Sequence, residues 1–376
     1  MGVKQKAAQS LGGILIRHAG SRSLATPCAS FLDRATELGL DRFIEARDEA
    51  QGIRFQLRYD LCEWFPDFDT LRLGETFNLD AQSGAADTEK EILLAMLLGP
   101  VTFEYPSYPE LAAAIRIRQN IVEAARHTAP TFHTSKIERP EEYWAYAEES
   151  GFTVRPGKPL IEALRKATQP EASAKPYAFS CYRASEYVVL LGIAQELAYC
   201  NPELLQRLQQ QWETRAIKSQ QFHDVFLREY GSMREPLPPK YYVPGDRLWF
   251  RNPDGTSSDV TGYEGSWLFY LGNGLFNNFW KCDQPYSLAG KCLEIYHWRS
   301  GVCRDAEGNL QMDEAIVEER VRAALSDPVE VERVLDRMMQ LRDPPGVYAE
   351  GGCIDTSREY PRWVCPGSSD LILPAM

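Results

Sequence analysis

The chain has 376 residues, room for one large domain or for a catalytic core with extensions. Apolar residues make up 44% and charged residues 25%, a mixture able to bury a sizeable core. Lys and Arg number 41 against 53 Asp and Glu, and the resulting charge of −12 repels phosphate backbones and anionic lipid, which argues against nucleic acid or a membrane surface as partner.

No apolar run reaches the roughly 18–20 residues of a membrane span. Nine cysteines, at 28, 62, 181, 200, 282, 292, 303, 353 and 365, include no Cys-x-x-Cys, which excludes zinc ribbons and thioredoxin-like motifs. Their scatter suits a reducing, cytoplasmic compartment, where most are small buried hydrophobes. Cys353 and Cys365, both in the tail, remain able to pair.

Along the chain, lysines followed by Leu11 to Ile16 imitate a secretory leader. The apolar stretch is short and runs into Arg17, His18 and Arg22, so no leader is expected. The Met1-Gly2 opening lacks the Ser or Thr of an acylation signal, having Lys6 there. Short helical and turn-rich pieces fill residues 1–95, punctuated at Pro66-Asp67-Phe68-Asp69 and Ser83-Gly84-Ala85. Glu89 to Leu98 reads as a short amphipathic helix, and Val101 to Tyr105 alternates like a strand. Tyr108 to Arg126 is a strong helix, with Pro109 at its start and apolar residues at 111, 115, 117, 121, 122 and 125. Pro140 to Ser150 reads as another short helix.

Tyr177 to Cys200 is the most informative stretch. Beyond Cys181 and Arg183 it is almost wholly apolar, the mark of a buried central helix. Asn201-Pro202 then caps a polar helix from Glu203 to about Tyr230. From Lys240 the period falls from about 3.6 to 2. Tyr241 to Val243 and Arg247 to Arg251 read as strands, with a turn at Asn252-Pro253-Asp254-Gly255. Ser266 to Leu271 reads as a core strand closed by Gly272-Asn273-Gly274. Leu288 to Trp298, Met312 to Leu325 and Pro328 to Leu341 read as helices, the last capped by Asp327. The tail from Asp343, rich in proline and glycine, is expected to loop over the surface. Helices followed by strands argue an α+β fold.

Cys181 stands at the start of the buried helix, where the helix dipole favours thiolate and rigid packing aims the sulfur. A buried structural cysteine fits that position equally well. A nucleophilic cysteine also needs a partner that moves protons. The histidines are His18, His127, His133, His223 and His297, and only His297 follows the strands, where such a partner would fall. Glu264, between Gly262 and Gly265 just before the core strand, is the other candidate. In that role it needs a partly desolvated site. Tyr263, Trp267, Trp249 and Trp280 suit either a substrate channel or the core.

Three blocks carry a family resemblance. Pro176-Tyr177-Ala178-Phe179-Ser180-Cys181 resembles the active-cysteine motif of the spore-type bacterial transglutaminases (protein-glutamine gamma-glutamyltransferases), which reads about Phe-Tyr-Ala-Phe-Glu-Cys. Pro100 to Tyr105 with the helix through Asn120 to Ala125 looks like that family's N-terminal strand and helix. Gly245 to Pro253 looks like its Gly-Asp-x-Leu-Tyr-Phe-Lys-Asn-Pro strand. The resemblance implies an NlpC/P60-like (papain-like) core at 96–300, with extensions at 1–95 and 301–376. It implies cross-linking of protein glutamine to lysine with loss of ammonia, with no metal or cofactor. Protein or peptide substrates bearing glutamine and lysine are then the partners, and Cys181 is the nucleophile. An ungapped match sets Ser266 at the family's glutamate, two residues after Glu264; alternation along a strand would put both on one face. Ser180 replaces the glutamate before the family's cysteine, and a later family histidine falls near Asn277-Asn278. Glu264 is therefore the expected acid/base. A cysteine-dependent deamidase or amide hydrolase, or a scaffold that has lost its base, is the alternative.

Overall fold

The computed structural model describes residues 12–18, 25–80, 84–132, 138–343 and 351–374. The Met1-Gly2 opening and His133 lie outside them.

Near the N-terminus four strands form one sheet: β1 (Gly13–Arg17), β2 (Ile44–Glu49), β3 (Gly52–Leu57) and β4 (Thr102–Tyr105), in the order β2-β3-β1-β4. β1 runs parallel to β4 and antiparallel to β3. A sheet thus replaces the turn-rich pieces expected there, because Ile14 and Phe55, paired in register, are wholly buried. Helix α1 (Ala85–Leu98) covers this sheet. Every residue from Glu91 to Leu98 is buried, so it is a core helix and not the amphipathic one expected.

Helix α2 (Tyr108–His127) starts as its sequence indicates, with Ser107 accepting from the Glu110 N–H at 3.4 Å and Pro109 in the first turn. It has two apolar faces. Leu111 and Ile115 pack into the N-terminal core, while Ile117, Ile121 and Val122 pack against α3 (Cys181–Cys200).

The main sheet has six strands: β5 (Leu227–Gly231), β6 (Arg247–Arg251), β7 (Gly265–Gly272), β8 (Leu275–Phe276), β9 (Tyr286–Ser287) and β10 (Ser357–Pro361). Their order is β9-β8-β7-β6-β10-β5. Phe269 and Leu271 of β7 join the core that contains α3. Leu248, Phe250, Leu268 and Tyr270 point the other way, into a core with helix α4 (Leu288–Gly301). The sheet therefore lies between α3 and α4, a mixed α+β arrangement.

Several local expectations fail for identifiable reasons. Residues 140–150 form no helix; Trp144–Ala147 and Gly151–Val154 pair as a hairpin, with the Trp144 indole donating to the Ala163 carbonyl at 2.9 Å. The helix from Pro202 stops at Thr214, because the Ala216 N–H turns to the Ser150 carbonyl at 3.0 Å, and a separate helix occupies Ser219–Phe226 before β5. Residues 241–243 are buried yet join no strand, since side chains satisfy their main chain. Tyr242 N–H donates to Thr70 Oγ1, and Val243 N–H to Asp246 Oδ2, each at 2.8 Å. The tail does more than loop over the surface: β10 inserts between β6 and β5. Buried Glu110 anchors the segment after β10, accepting from the N–H groups of Val364 (2.8 Å) and Cys365 (3.1 Å) and from the Ser368 hydroxyl (2.6 Å). Cys353 and Cys365 sit in different cores. Cys353 lies 3.5 Å from Cys292, sulfur to sulfur, and the thiol beside Cys365 is that of Cys200.

Buried Glu91 of α1 clamps the turn after β7. It accepts from the Tyr270 hydroxyl at 2.9 Å and from the Asn273 N–H at 2.8 Å. Burial pushes its carboxyl up to about 7, against the opposing pull of these donors and of Arg126. A carboxyl raised by folding stabilises the fold while protonated. That stability is full below the unfolded value and is lost as pH rises to about 7. The loss is on the order of 3 kcal/mol. Chemical denaturation at pH 5 and pH 8 should therefore give a larger fall in stability for wild type than for Glu91→Gln. Equal falls would show that Glu91 is not the titrating group.

Candidate active site

Two short extended segments, Thr131–Phe132 and Ala178–Phe179, pair in parallel and deliver the chain to α3. Ser180 caps the helix, its hydroxyl accepting from the Arg183 N–H at 3.3 Å. Cys181 is the first helical residue, as the sequence indicates. It sits against the open edge of β7. Further along that edge Asn277 closes the ladder, its N–H donating to the Phe269 carbonyl (3.1 Å) and its Oδ1 accepting from the Phe269 N–H (2.6 Å). Two residues earlier, the Trp267 N–H is directed at the Cys181 sulfur.

The thiol does not have the lowered pKa expected from its place at a helix start. Cys181 keeps some solvent contact as a residue, but protein crowds its sulfur, and this burial pushes the thiol up. The N–H groups of Trp267 and Tyr182 and the cations Lys291 and Arg247 pull the other way without prevailing. The neutral thiol is therefore favoured.

A cavity of about 350 Å³ opens at the sulfur, lined by Cys181, Glu264, Phe132, Trp249 and Trp267 among others. The two candidate site residues thus share one cavity. Gly265 admits the close approach of the Trp249 indole that lines it, since a Cβ there would lie 2.1 Å from the indole nitrogen. Glu264 is exposed, contrary to the desolvated site expected for an acid/base. Its carboxylate folds onto its own loop and accepts from the Gly262 N–H at 3.1 Å. Ser266 is buried on the sheet face shared with Leu268 and Tyr270, which is the α4 side, and does not line the cavity. The one-face expectation for residues 264 and 266 fails because β7 begins only at Gly265.

His297 lies on α4, buried and packed edge-on against Tyr296, and does not line the cavity. Burial pushes its imidazole pKa down. His18, His127 and His223 have partners elsewhere: the Glu49 carbonyl, Glu123 with Glu171, and Glu359 with Asp224. Of the four aromatics considered for a channel, Trp249 and Trp267 line the cavity, and Tyr263 and Trp280 pack edge-on against Phe132 behind it.

Arg247 is a site residue that the sequence reading misses. It is buried on the α3 side of β6, stacked 3.8 Å over Trp267, with its Nε donating to Ser185 of α3 at 2.8 Å and its Nη1 bonded to Glu359 of β10. Its spacing of two from Trp249 is the signal that could have found it. Among the described residues no group of three or more His, Cys, Asp or Glu could hold a metal ion. None of the described helices is long and apolar enough to cross a membrane.

Comparison with known proteins places these features in context. The profile of the family described as protein-glutamine gamma-glutamyltransferase matches residues 72–349. A protein-glutamine gamma-glutamyltransferase of Bacillus licheniformis is 27% identical over 176 residues, covering 45% of this chain and 64% of the relative. One of Halalkalibacterium halodurans is 26% identical over 215 residues, covering 54% of this chain and 67% of the relative. The chain thus spans just under two thirds of the first relative's length.

Burial of the thiol makes a prediction of sign. Alkylation of Cys181 by iodoacetamide, followed by peptide mass spectrometry against exposed Cys282 and Cys303, should rise with a midpoint above the ordinary thiol value of about 8.5. A plateau already reached at pH 7 would overturn the burial account.

Proposed function

The chain belongs to the protein-glutamine gamma-glutamyltransferase family, and on that premise we propose that it transfers the γ-acyl group of a protein-bound glutamine to a lysine or other primary amine. The observation that supports this reading is the cavity shared by Cys181, at the start of a buried helix, and Glu264. The nearby helix and sheet fit an NlpC/P60-like core in the same proposal. Residues 96–300 carry the chemistry, and the flanks 1–95 and 301–376 brace it through Glu91, which clamps the turn after β7, and β10, which runs between β6 and β5. A cytoplasmic site of action belongs to the proposal as well.

The Cys181 thiol gives its proton to Glu264 as sulfur bonds to the glutamine δ-carbon. The carbonyl becomes an oxyanion, for which main-chain N–H groups at the first turn of α3 and on β7 are the available donors. Collapse breaks the C–N bond, and the proton held by Glu264 goes to the departing nitrogen, releasing ammonia. The thioester then meets an amine, which loses a proton to Glu264 and expels the sulfur. That proton returns to Cys181. Substrate seated over Glu264 supplies the desolvation that the open cavity lacks. Water in place of the amine gives deamidation, favoured to the extent that the exposed carboxylate admits it.

Incorporation of a labelled primary amine into a glutamine-rich protein, with ammonia followed in parallel, tests this. Wild type should incorporate label and Cys181→Ala should not. Ammonia without label would make the protein a deamidase, and neither signal would reject the proposed activity. If Glu264 moves the proton, Glu264→Gln should lower kcat by at least ~100-fold while the protein remains folded. A near-normal rate would remove it from the mechanism.

A further inference from the structure

A second cavity, of about 510 Å³, meets the first at Ser180, which lines both. Its charged lining residues are Arg139, Arg183, Lys218 and Glu148, three cations against one exposed acid. Arg139 is only 6% exposed. Its guanidinium lies 3.4 Å over Phe179, and its Nη1 donates to the Glu138 (2.6 Å) and Ala178 (3.3 Å) carbonyls. Among the described residues no carboxylate pairs with it, and its Nε–H has no acceptor. Trp212, 2% exposed, lines the same cavity, and its indole N–H also lacks an acceptor.

Among the described residues Arg139 has no direct ion pair, Glu186 acting on it only through space, and a buried cation so placed and a buried N–H without an acceptor each cost stability unless a ligand completes them. Here they line one cavity: an oxygen acceptor would serve both, and negative charge on it would meet the guanidinium. Arg183 is already partly engaged, donating to Glu186 at 2.6 Å, while exposed Lys218 adds positive charge at the rim. The unpaired Arg139 Nε–H, on a guanidinium whose other neighbours are neutral carbonyls and the Tyr187 hydroxyl, suits a carboxylate oxygen. A peptide with its glutamine side chain at Cys181 crosses Ser180 within a residue or so, which brings neighbouring side chains to this second cavity.

We propose that the cavity lined by Arg139, Lys218 and Trp212 is a subsite for an aspartate or glutamate side chain next to the reactive glutamine, so that the protein selects acidic glutamine sites. The inference rests on the proposed function, because it takes the glutamine to enter at Cys181.

Two capped five-residue peptides test it, one with glutamate on both sides of a central glutamine and one with alanine there. Binding is measured by calorimetry to the full chain carrying Cys181→Ala, so that no turnover is needed. The acidic peptide should bind at least ~10-fold more tightly, the scale of one charge-assisted hydrogen bond pair. Adding Arg139→Gln should abolish the preference. Arg139 is packed among aromatic rings, so Lys218→Gln, at an exposed position, provides a second variant that should fold normally and narrow the preference. Equal affinity for the two peptides, including no measurable binding of either, overturns the subsite, as does a preference that survives both variants. Amine incorporation by wild type separates the two readings. Turnover without acidic preference leaves the activity and removes the subsite. Acidic preference in binding without turnover of either peptide keeps the subsite and removes the activity.

Discussion

The buried ion pair between Arg118 and Asp246 holds together the parts on which the site stands. Arg118 of α2 donates to Asp246 Oδ1 at 2.7 Å, and both side chains are essentially out of contact with water. The second carboxylate oxygen accepts from the Val243 N–H and the Tyr230 hydroxyl of β5. The main chain of the same turn bonds to β7, with Gly245 N–H meeting the Tyr270 carbonyl at 2.8 Å and Tyr270 N–H meeting the Asp246 carbonyl at 3.1 Å. Gly245 has φ +86°, and a Cβ there would lie 2.9 Å from Arg118 Cα, so the turn can approach α2 only as glycine. Asp246 thus joins α2 and β5 through its carboxylate and β7 through its main chain, at the entry to β6. Loss of one partner strands a buried charge, at a cost of about 3–5 kcal/mol. Set against a total stability of about 5–15 kcal/mol, that is enough to decide whether the sheet holds its place.

The residue after this hub carries the constraint to the chemistry. Arg247 extends from β6 toward α3, bonds Ser185 and lies over Trp267, while its other end is bonded to Glu359 of β10. The tail strand therefore steadies the indole that lines the Cys181 cavity. β10 lies beyond residue 349, where the family match ends, so this contact comes from the tail outside the matched segment.

What the sequence disclosed divides along the range of the forces involved. α2, α3, β6 and β7 were legible because their signals are local: Ser107-Pro109 and Ser180 at helix starts, an unbroken apolar run after Arg183, alternation around Trp249 and Trp267. β10 was not, because Ser-Arg-Glu-Tyr-Pro has no strand-like apolar pattern; its position depends on pairing with residues more than 100 places earlier. Tyr242 and Val243 misled for the opposite reason, since their apolar pattern is real but Thr70 and Asp246 take the hydrogen bonds that a neighbouring strand would use. Cys181 and Glu264 could be named as candidates from their neighbours. Arg139 and Trp212 could not, because an unpaired buried donor is a property of the folded surroundings and leaves no mark on spacing.

The two ends of the Cys181 cavity impose opposite conditions, and the site has to work between them. Rigid placement at a buried helix start aims the sulfur but desolvates it, so the thiol keeps its proton until a base is brought to bear. Glu264 lies on the exposed side, held to Gly262 by a main-chain hydrogen bond. In the proposed reaction, a substrate entering the cavity lined by Trp249 and Trp267 would change both conditions at once, displacing water from the carboxylate and bringing the reacting carbonyl to the sulfur. Under the proposed function, activation of Cys181 would then be tied to occupancy, which would restrain a free thiolate from reacting with small electrophiles between turnovers. The same logic extends through Ser180 to the neighbouring cationic cavity. On the proposed subsite, a peptide long enough to meet Arg139 would also lie over Ser180, so the contact that would select the peptide would also help to dry the site in which its glutamine would react.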